Sequence, residues 1–150
     1  MADTRTQVEV EDWIRKFWMP RMFGSPQFRR ERLRLSSGGV FDFDAVSHDD
    51  RTVALISTSS GLTASGKLGV GKLHKLRADM LFLTLVQTER RLIVLTEPDM
   101  FMLCQKELHA RRVPAGIEFH IVEIPPHLAS ALRKARDVAS REVRPNRFAR

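Results

Sequence analysis

Cysteine is nearly absent from the 150-residue chain, since Cys104 is the only one. One thiol cannot form an intramolecular disulfide, and a zinc site with four cysteine ligands is excluded. Apolar runs are short as well, because none reaches the roughly 18 residues that a membrane-spanning helix needs. The opening stretch MADTRTQVEVEDW carries acids and has no apolar core, so we expect no secretory signal. These absences predict a protein of the reducing cytoplasm that does not contact membranes.

The charge balance is basic, because 25 Lys and Arg stand against 18 Asp and Glu and give a formal net charge of +7. A basic surface attracts polyanions, so nucleic acid is the partner class that composition favours. Arginine is concentrated in RRERLR at 29–34 and in the segment 133–150. The guanidinium group suits phosphate recognition. The same charges on a solvated helix face would need no ligand, and that alternative stays open.

Hydrophobic periodicity predicts a single α/β domain over residues 1–150, with a polar tail at 1–6 and a basic tail at 143–150. An N-terminal helix that Pro20 ends or kinks is predicted from the helical spacing of Val10, Trp13, Ile14, Phe17 and Trp18. Period-two alternation then predicts strands at 30–35 and 40–47, and the run TVALIS predicts a buried strand at 52–57. Short turns between the three predict an antiparallel meander. The remaining pattern predicts, in order, a helix at 70–86, a strand at 90–96, a helix from Pro98, a strand at 117–125 and a helix at 126–143. The order α-β-β-β-α-β followed by α-β-α predicts a sheet with helices on both faces.

The second predicted strand, VFDFDAVS, carries two acids. Strict alternation places its side chains on two faces, with Phe41, Phe43 and Ala45 on one and Asp42, Asp44 and Val46 on the other.

A glycine-rich segment follows the third strand, and its first seven residues, GLTASGK from Gly61 to Lys67, fit the start of a phosphate-binding loop. Such a loop needs a Ser or Thr after the lysine to hold Mg²⁺, and Leu68 stands there instead. The loop should also follow a strand of a parallel sheet, whereas this strand closes a meander. Nucleotide binding therefore ranks below the hypotheses that follow.

The order αβββαβ, with the segments FDFDAV and VALISTS, resembles the restriction-endonuclease-like, or PD-(D/E)xK, nuclease superfamily. The resemblance covers most of residues 13–122 and implies a three-layer αβββαβ core, a mixed sheet flanked by helices, extended here by a C-terminal strand and helix. In that family an acid near the second core strand and a (D/E)-x-K tripeptide on the third hold Mg²⁺ and activate water. Asp44 matches the first acid, whereas Leu55 and Ser57 stand where the glutamate and the lysine are expected.

The resemblance therefore implies a vestigial site at Asp44, Leu55 and Ser57, in a protein without catalytic function and without a cofactor. Such a protein would bind DNA or RNA through backbone contacts. It could equally be a structural or regulatory subunit that joins a protein partner in a DNA-processing or defence assembly. A protein-interaction module with no nucleic-acid role is a further alternative.

An active Mg²⁺-dependent endonuclease is the other alternative that the resemblance leaves open. Asp42 and Asp44 would then hold the metal, and the following helix would supply the missing acid and lysine from Lys72, Lys75 and Asp79. Lys75 and Asp79 are four residues apart and share a helix face.

Candidate polyanion contacts lie in two places, beside the glycine-rich loop and on the first strand. They are Lys67, Lys72, Lys75, Arg29, Arg30 and Arg32. The five histidines lie in different elements without metal-binding spacing. Cys104 lies in an apolar helical stripe and is predicted to be a core residue.

Overall fold

In the computed structural model, which describes residues 4–63 and 65–143, five strands form one mixed sheet with helices on both faces. The strands are β1 (Phe28–Arg34), β2 (Val40–Ser47), β3 (Thr52–Ser57), β4 (Arg90–Leu95) and β5 (Ile117–Ile121), which lie in that order across the sheet. The helices are α1 (Arg5–Trp13), α2 (Met19–Phe23), α3 (Val70–Leu85), α4 (Pro98–His109) and α5 (Pro126–Val143). A π-helical turn, Ile14–Trp18, joins α1 to α2.

Strand direction changes once across the sheet. The pairs β1–β2 and β2–β3 are antiparallel, and the pairs β3–β4 and β4–β5 are parallel. Short turns suffice for the antiparallel pairs, whereas the parallel pairs need the crossover helices α3 and α4. The predicted α/β class with a sheet flanked by helices is confirmed, and β2 and β3 have the predicted bounds.

The ends of the chain differ from the prediction at one point. Helix α1 begins at Arg5, so Arg5 and Thr6 do not belong to the predicted polar tail. The predicted basic tail 143–150 lies outside the described residues, apart from Val143. Over the ranges that the structure describes, no helix has the length and apolar character that crossing a membrane requires.

The sheet separates two hydrophobic clusters, because β3 and β4 are buried on both faces. The first cluster lies under α3 and α4 and includes Leu55, Leu76, Met80, Ile93 and Leu95. The second lies under α1 and α5 and includes Val10, Ile14, Ala54, Ile56 and Leu128. Cys104 is completely buried in the first cluster, which confirms its predicted core position.

A bulge in β2 changes which side chains share a face. The pairing with β1 shifts register between Arg29↔Val46 and Glu31↔Phe43. Two residues of β2, Asp44 and Ala45, therefore lie opposite one residue of β1. The predicted faces are wrong beyond this point, since Ala45 packs in the α1/α5 cluster while Val46 joins Phe43 in the α3/α4 cluster. One extra residue moves every later side chain of the strand to the opposite face of the sheet.

The N-terminal helix continues through Pro20 and ends at Gly24, which has a left-handed φ of 65°. Proline has no N–H to donate, and the helix accommodates Pro20 through the π-helical turn that precedes it. There the Met19 N–H donates to the Ile14 carbonyl, five residues back. Phe17, predicted in the apolar stripe, is consequently 55% exposed, whereas Ile14 is completely buried.

Candidate functional site

Strands β2 and β3 separate at Asp44, and we call this gap the fork. Their pairing includes Ala45↔Ala54 and Val46↔Val53 but does not extend to Asp44. The Asp44 carboxylate instead accepts a hydrogen bond of 2.8 Å from the Ile56 N–H. The side chain thus satisfies a main-chain donor that the separated ladder leaves without a strand partner. The bulge and the fork together turn Asp44 from a surface strand residue into a partly buried carboxylate.

Glu11 of α1 is the second carboxylate at the fork, and the sequence analysis did not identify it. Its side chain is 9% exposed and accepts a hydrogen bond of 3.1 Å from Gln7 Nε2. Burial raises the pKa of Glu11, and the negative charge of Asp44 adds to that rise. Burial also raises the pKa of Asp44, against the opposing effect of the Ile56 N–H. Both environments favour the protonated acid, as at sites where carboxylates are crowded and desolvated.

Cations and one further acid surround the fork. Arg15 Nε donates to the Asp44 main-chain carbonyl at 2.9 Å. The charges of Arg30 and Lys75 lower the pKa of Asp44, while the charge of Asp79 raises it. Lys75 and Asp79 form an ion pair of 2.9 Å on α3. Of the residues predicted for an active nuclease, the structure therefore brings Asp44, Lys75 and Asp79 into one electrostatic neighbourhood.

Asp42 has a different environment. Arg32, its neighbour across the β1–β2 ladder, donates to it from Nε at 2.8 Å and from Nη2 at 3.2 Å. These hydrogen bonds lower the pKa of Asp42. Both side chains are exposed, and Asp42 of β2 forms a cross-strand ion pair with Arg32 of β1.

The structure places the members of the predicted vestigial trio in different surroundings. Leu55 is 5% exposed and packs in the α3/α4 cluster. Ser57 lines a cavity of about 20 Å³ together with Lys72, Lys75 and Asp79, and neither Leu55 nor Asp44 lines it. That volume holds about one water molecule. Leu55, at the position where the resemblance implies a glutamate, is therefore part of the hydrophobic core.

The magnesium site that the resemblance implies can be tested against these groups. Magnesium takes carboxylate, phosphate and water oxygens in near-octahedral geometry. Leu55 offers no oxygen, Asp42 is paired with Arg32, and Asp44 already accepts the Ile56 N–H. Within residues 4–63 and 65–143, no group of three or more His, Cys, Asp or Glu side chains is arranged to hold a metal ion. Leu55, Asp42 and Asp44, as the structure places them, therefore do not by themselves fit such a site.

The glycine-rich loop folds back on itself. The Thr63 N–H donates to the Lys67 carbonyl at 2.7 Å, and the Gly69 N–H donates to the Gly61 carbonyl at 3.1 Å. The Gly61 N–H donates to Asp99 Oδ1 at 3.1 Å, and a Cβ at Gly61 would lie 3.1 Å from the Asp99 carbonyl oxygen. In a phosphate-binding loop such N–H groups wrap the phosphates. Here they close a hairpin, and Gly61 serves the close approach to α4.

A second feature, which we call the basic groove, lies between this loop and α5. It has a volume of about 430 Å³ and is lined by Ser60, Leu62, Thr63, Lys72, Arg136, Asp137, Ser140 and Arg141. Lys72 Nζ donates to the Leu62 carbonyl at 2.9 Å, and Arg136 is held by the Thr58 carbonyl at 3.0 Å and by Glu97 at 2.9 Å. Burial lowers the pKa of Lys72, and the positive charge of Arg136 lowers it further. The groove thus holds two cations close together.

The predicted polyanion contacts are dispersed over the surface. Lys72 lines the basic groove, and Lys67 is exposed on the adjoining loop. Lys75 is paired with Asp79, and the charge of Arg30 lowers the pKa of Asp44 and of Glu11. The other two are paired on β1, Arg32 with Asp42 and Arg29 with Glu31 and Asp50. Sequence reasoning missed Arg136 and Arg141 as individual residues, although it identified their segment as rich in arginine.

The whole chain was compared with protein-family models, with curated proteins and with solved structures. None of them matches it significantly. Any function must therefore be argued from the fork, the basic groove and the sheet that positions them.

Proposed function

We propose that this chain is a non-catalytic protein with a restriction-endonuclease-like fold, and that it binds nucleic acid through backbone phosphates in the basic groove. The observation that carries the proposal is the convergence of three cations, Lys72, Arg136 and Arg141, on one groove of about 430 Å³. Asp137 is the only acid among its lining residues. Guanidinium and ammonium groups are the usual donors to phosphate oxygens.

The character of the groove favours backbone contacts over base reading. Hydroxyl groups of Ser60, Thr63 and Ser140 line it beside the cations, and none of the described residues that line it is aromatic. Hydroxyls and cations donate to phosphate and sugar, whereas single-stranded bases are held mainly by stacking on aromatic rings. Binding with little sequence preference and a steep dependence on salt follows.

The fork supports the non-catalytic part of the proposal. Leu55 belongs to the hydrophobic core, and Asp44 accepts a main-chain hydrogen bond from β3. A protein of this kind would act as a structural or regulatory subunit of a DNA-processing or defence assembly, holding nucleic acid while a partner performs the chemistry.

The direct test is fluorescence anisotropy with mixed-sequence DNA and RNA oligonucleotides over a range of salt concentrations. The double variant Lys72→Gln/Arg141→Gln removes two cations from the groove. With duplex DNA we expect the slope of log K against log[salt] to become less steep by about 1.8, since each of the two lost phosphate contacts contributes about 0.9. The control Arg34→Gln/Lys106→Gln removes two exposed cations elsewhere and should keep the wild-type slope. The proposal is refuted if wild type does not bind at low salt, or if both double variants lose affinity equally.

The endonuclease alternative is tested with the same preparations. The presence of Glu11 beside Asp44 is the observation that favours it, because the pair supplies two desolvated carboxylates. Supercoiled and single-stranded DNA are incubated with Mg²⁺ or Mn²⁺, and we expect no cleavage. Cleavage by wild type that is lost in both Asp44→Asn and Glu11→Gln would replace the non-catalytic proposal. If the protein neither binds nor cuts, the interaction-module hypothesis is favoured.

A further inference from the structure

A second cavity, which we call the π-turn pocket, lies where the π-helical turn meets the start of β1. Its volume is about 290 Å³, and the basic side chains that line it are Arg15, Lys16, Arg29 and His48. Pro20 and Pro26 form part of its wall, and its lining includes no acid from the part of the chain that the structure describes. It shares no lining residue with the basic groove. It lies at the opposite end of the sheet, since His48 follows β2 whereas the groove lies beyond the end of β3.

Arg15 is the most informative residue of the π-turn pocket because its side chain is only 10% exposed. Two of its three nitrogens are engaged, Nε with the Asp44 carbonyl at 2.9 Å and Nη1 with Asp12 at 3.0 Å. Nη2 donates no hydrogen bond to any residue that the structure describes. A guanidinium group held in place at two positions and open at the third is ready to donate to a ligand in the pocket.

The other cations differ in how free they are. Lys16 is exposed and makes no ion pair within the described ranges, so its ammonium group can turn to a ligand. Arg29 is held by the Ser47 carbonyl at 2.9 Å and by Asp50 at 2.8 Å, and forms part of a fixed wall. His48 is exposed beside it, and its main-chain N–H is anchored to the Gln27 carbonyl at 3.0 Å.

The π-helical turn explains why two consecutive basic residues reach one pocket. Arg15 and Lys16 both lie within Ile14–Trp18, where the helix is wider than an α-helix. Such turns are rare and are found frequently at functional sites. Pro20 requires an irregularity in this helix, and the irregularity falls on the two residues that line the pocket.

We propose that the π-turn pocket binds a phosphate monoester group through Arg15 Nη2, Lys16 and His48. A compact oxyanion matches the fixed guanidinium and the mobile ammonium group, and the volume admits the group together with part of what it is attached to. The phosphate belongs either to a small phosphorylated molecule or to the 5′ end of a nucleic-acid strand. This proposal does not rest on binding in the basic groove, because the two sites have no residue in common.

Isothermal titration of the full chain with inorganic phosphate and with adenosine monophosphate tests the pocket. The double variant Lys16→Ala/His48→Ala removes two exposed side chains and leaves the anchored Arg15 in place. We expect its Kd for both probes to rise at least tenfold, and that of the control Lys106→Ala to change less than twofold. A circular dichroism melt of each variant verifies that it is folded.

Oligonucleotides with a 5′-phosphate or a 5′-hydroxyl then distinguish the two sources of the group. A preference of wild type for the 5′-phosphate that the double variant loses assigns the pocket to strand ends. Equal binding of both oligonucleotides, with tight binding of the small probes, assigns it to small phosphorylated molecules. The proposal is overturned if wild type binds neither small probe at millimolar concentration, or if the double variant binds them as wild type does. If wild type binds the small phosphate probes in the π-turn pocket, and Lys72→Gln/Arg141→Gln binds oligonucleotides no more weakly than its control, only the proposed function is refuted.

Discussion

Replacing Leu55 with glutamate tests whether the fork is vestigial, because glutamate is what the nuclease resemblance implies at this position. Leu55 is 5% exposed and packs with Leu76, Ile93 and Leu95. Removing it forfeits about 2.5 kcal/mol of hydrophobic burial. The buried glutamate must also take up a proton, which at pH 7 costs about 3.7 kcal/mol from an ordinary pKa of about 4.3. The sum, about 6 kcal/mol, is comparable with the roughly 5–15 kcal/mol by which domains are stable.

The same reasoning predicts how the loss depends on pH. At pH 4.5 the proton costs only about 0.6 kcal/mol, so the total falls to about 3 kcal/mol. A carboxyl group whose pKa is raised by folding favours the folded state at low pH and loses that contribution as pH rises. The difference in the free energy of unfolding between Leu55→Glu and wild type should therefore grow by about 3 kcal/mol between pH 4.5 and pH 7.

Urea unfolding followed by tryptophan fluorescence at both pH values measures this difference. Leu55→Gln is the matched control, because glutamine is polar, has the same length as glutamate and does not titrate. Its loss in the free energy of unfolding should therefore not vary with pH. The reasoning is refuted if Leu55→Glu is as stable as wild type at pH 7. That result, together with a rise of its melting temperature in Mg²⁺, would show that position 55 opens into the fork.

Three further outcomes are expected. Glu107→Ala should lower the free energy of unfolding by about 1.5 kcal/mol in urea titrations, because its carboxylate accepts hydrogen bonds from two half-exposed arginines, and an unchanged stability would contradict this. The free energy of unfolding of Glu11→Gln, measured relative to wild type, should be more favourable at pH 7 than at pH 4.5. Burial and the charge of Asp44 raise the pKa of Glu11, so wild type loses stability as pH rises above the ordinary pKa of glutamate, whereas glutamine does not titrate. Equal differences between variant and wild type at both pH values would count against this. Cys104, completely buried and with its pKa raised by burial to about 12, should react with a thiol reagent only on unfolding, and rapid labelling of the native protein would contradict this.

Much of the fold could be predicted because each element carries a local pattern. The bounds of β2 follow from alternation, those of β3 from a short apolar run, and both from the polar turn between them; they agree with the structure. Helices α3, α4 and α5 follow from helical spacing and from Pro98 and Pro126 at their starts. The change from antiparallel to parallel pairing then follows from the helices that must connect parallel strands.

The bulge and the fork could not be predicted, because they depend on contacts between strands rather than on one segment. FDFDAV alternates without interruption, and nothing in it shows that Asp44 and Ala45 face a single residue of β1. Glu11 was missed because an acid in a polar helical segment predicts a solvated face. Its one signal is position, between the buried Val10 and Ile14 and four residues before the buried Arg15.

The packing around β3 leaves no room for the two side chains that the nuclease resemblance implies at positions 55 and 57. Leu55 and Ser57 are two residues apart and point to the same face of β3, which is the face that the α3/α4 cluster covers. Leu76 and Met100 line the cavity beside Ser57 and leave about 20 Å³. A glutamate and a lysine introduced by Leu55→Glu/Ser57→Lys would therefore need these two side chains to withdraw as well. Asp44 remains useful without a metal, because Asp44→Ala would leave the Ile56 N–H without its acceptor, at a cost of about 1–3 kcal/mol. An acid at position 44 is thus accounted for by the separation of the strands, and it does not by itself argue for catalysis.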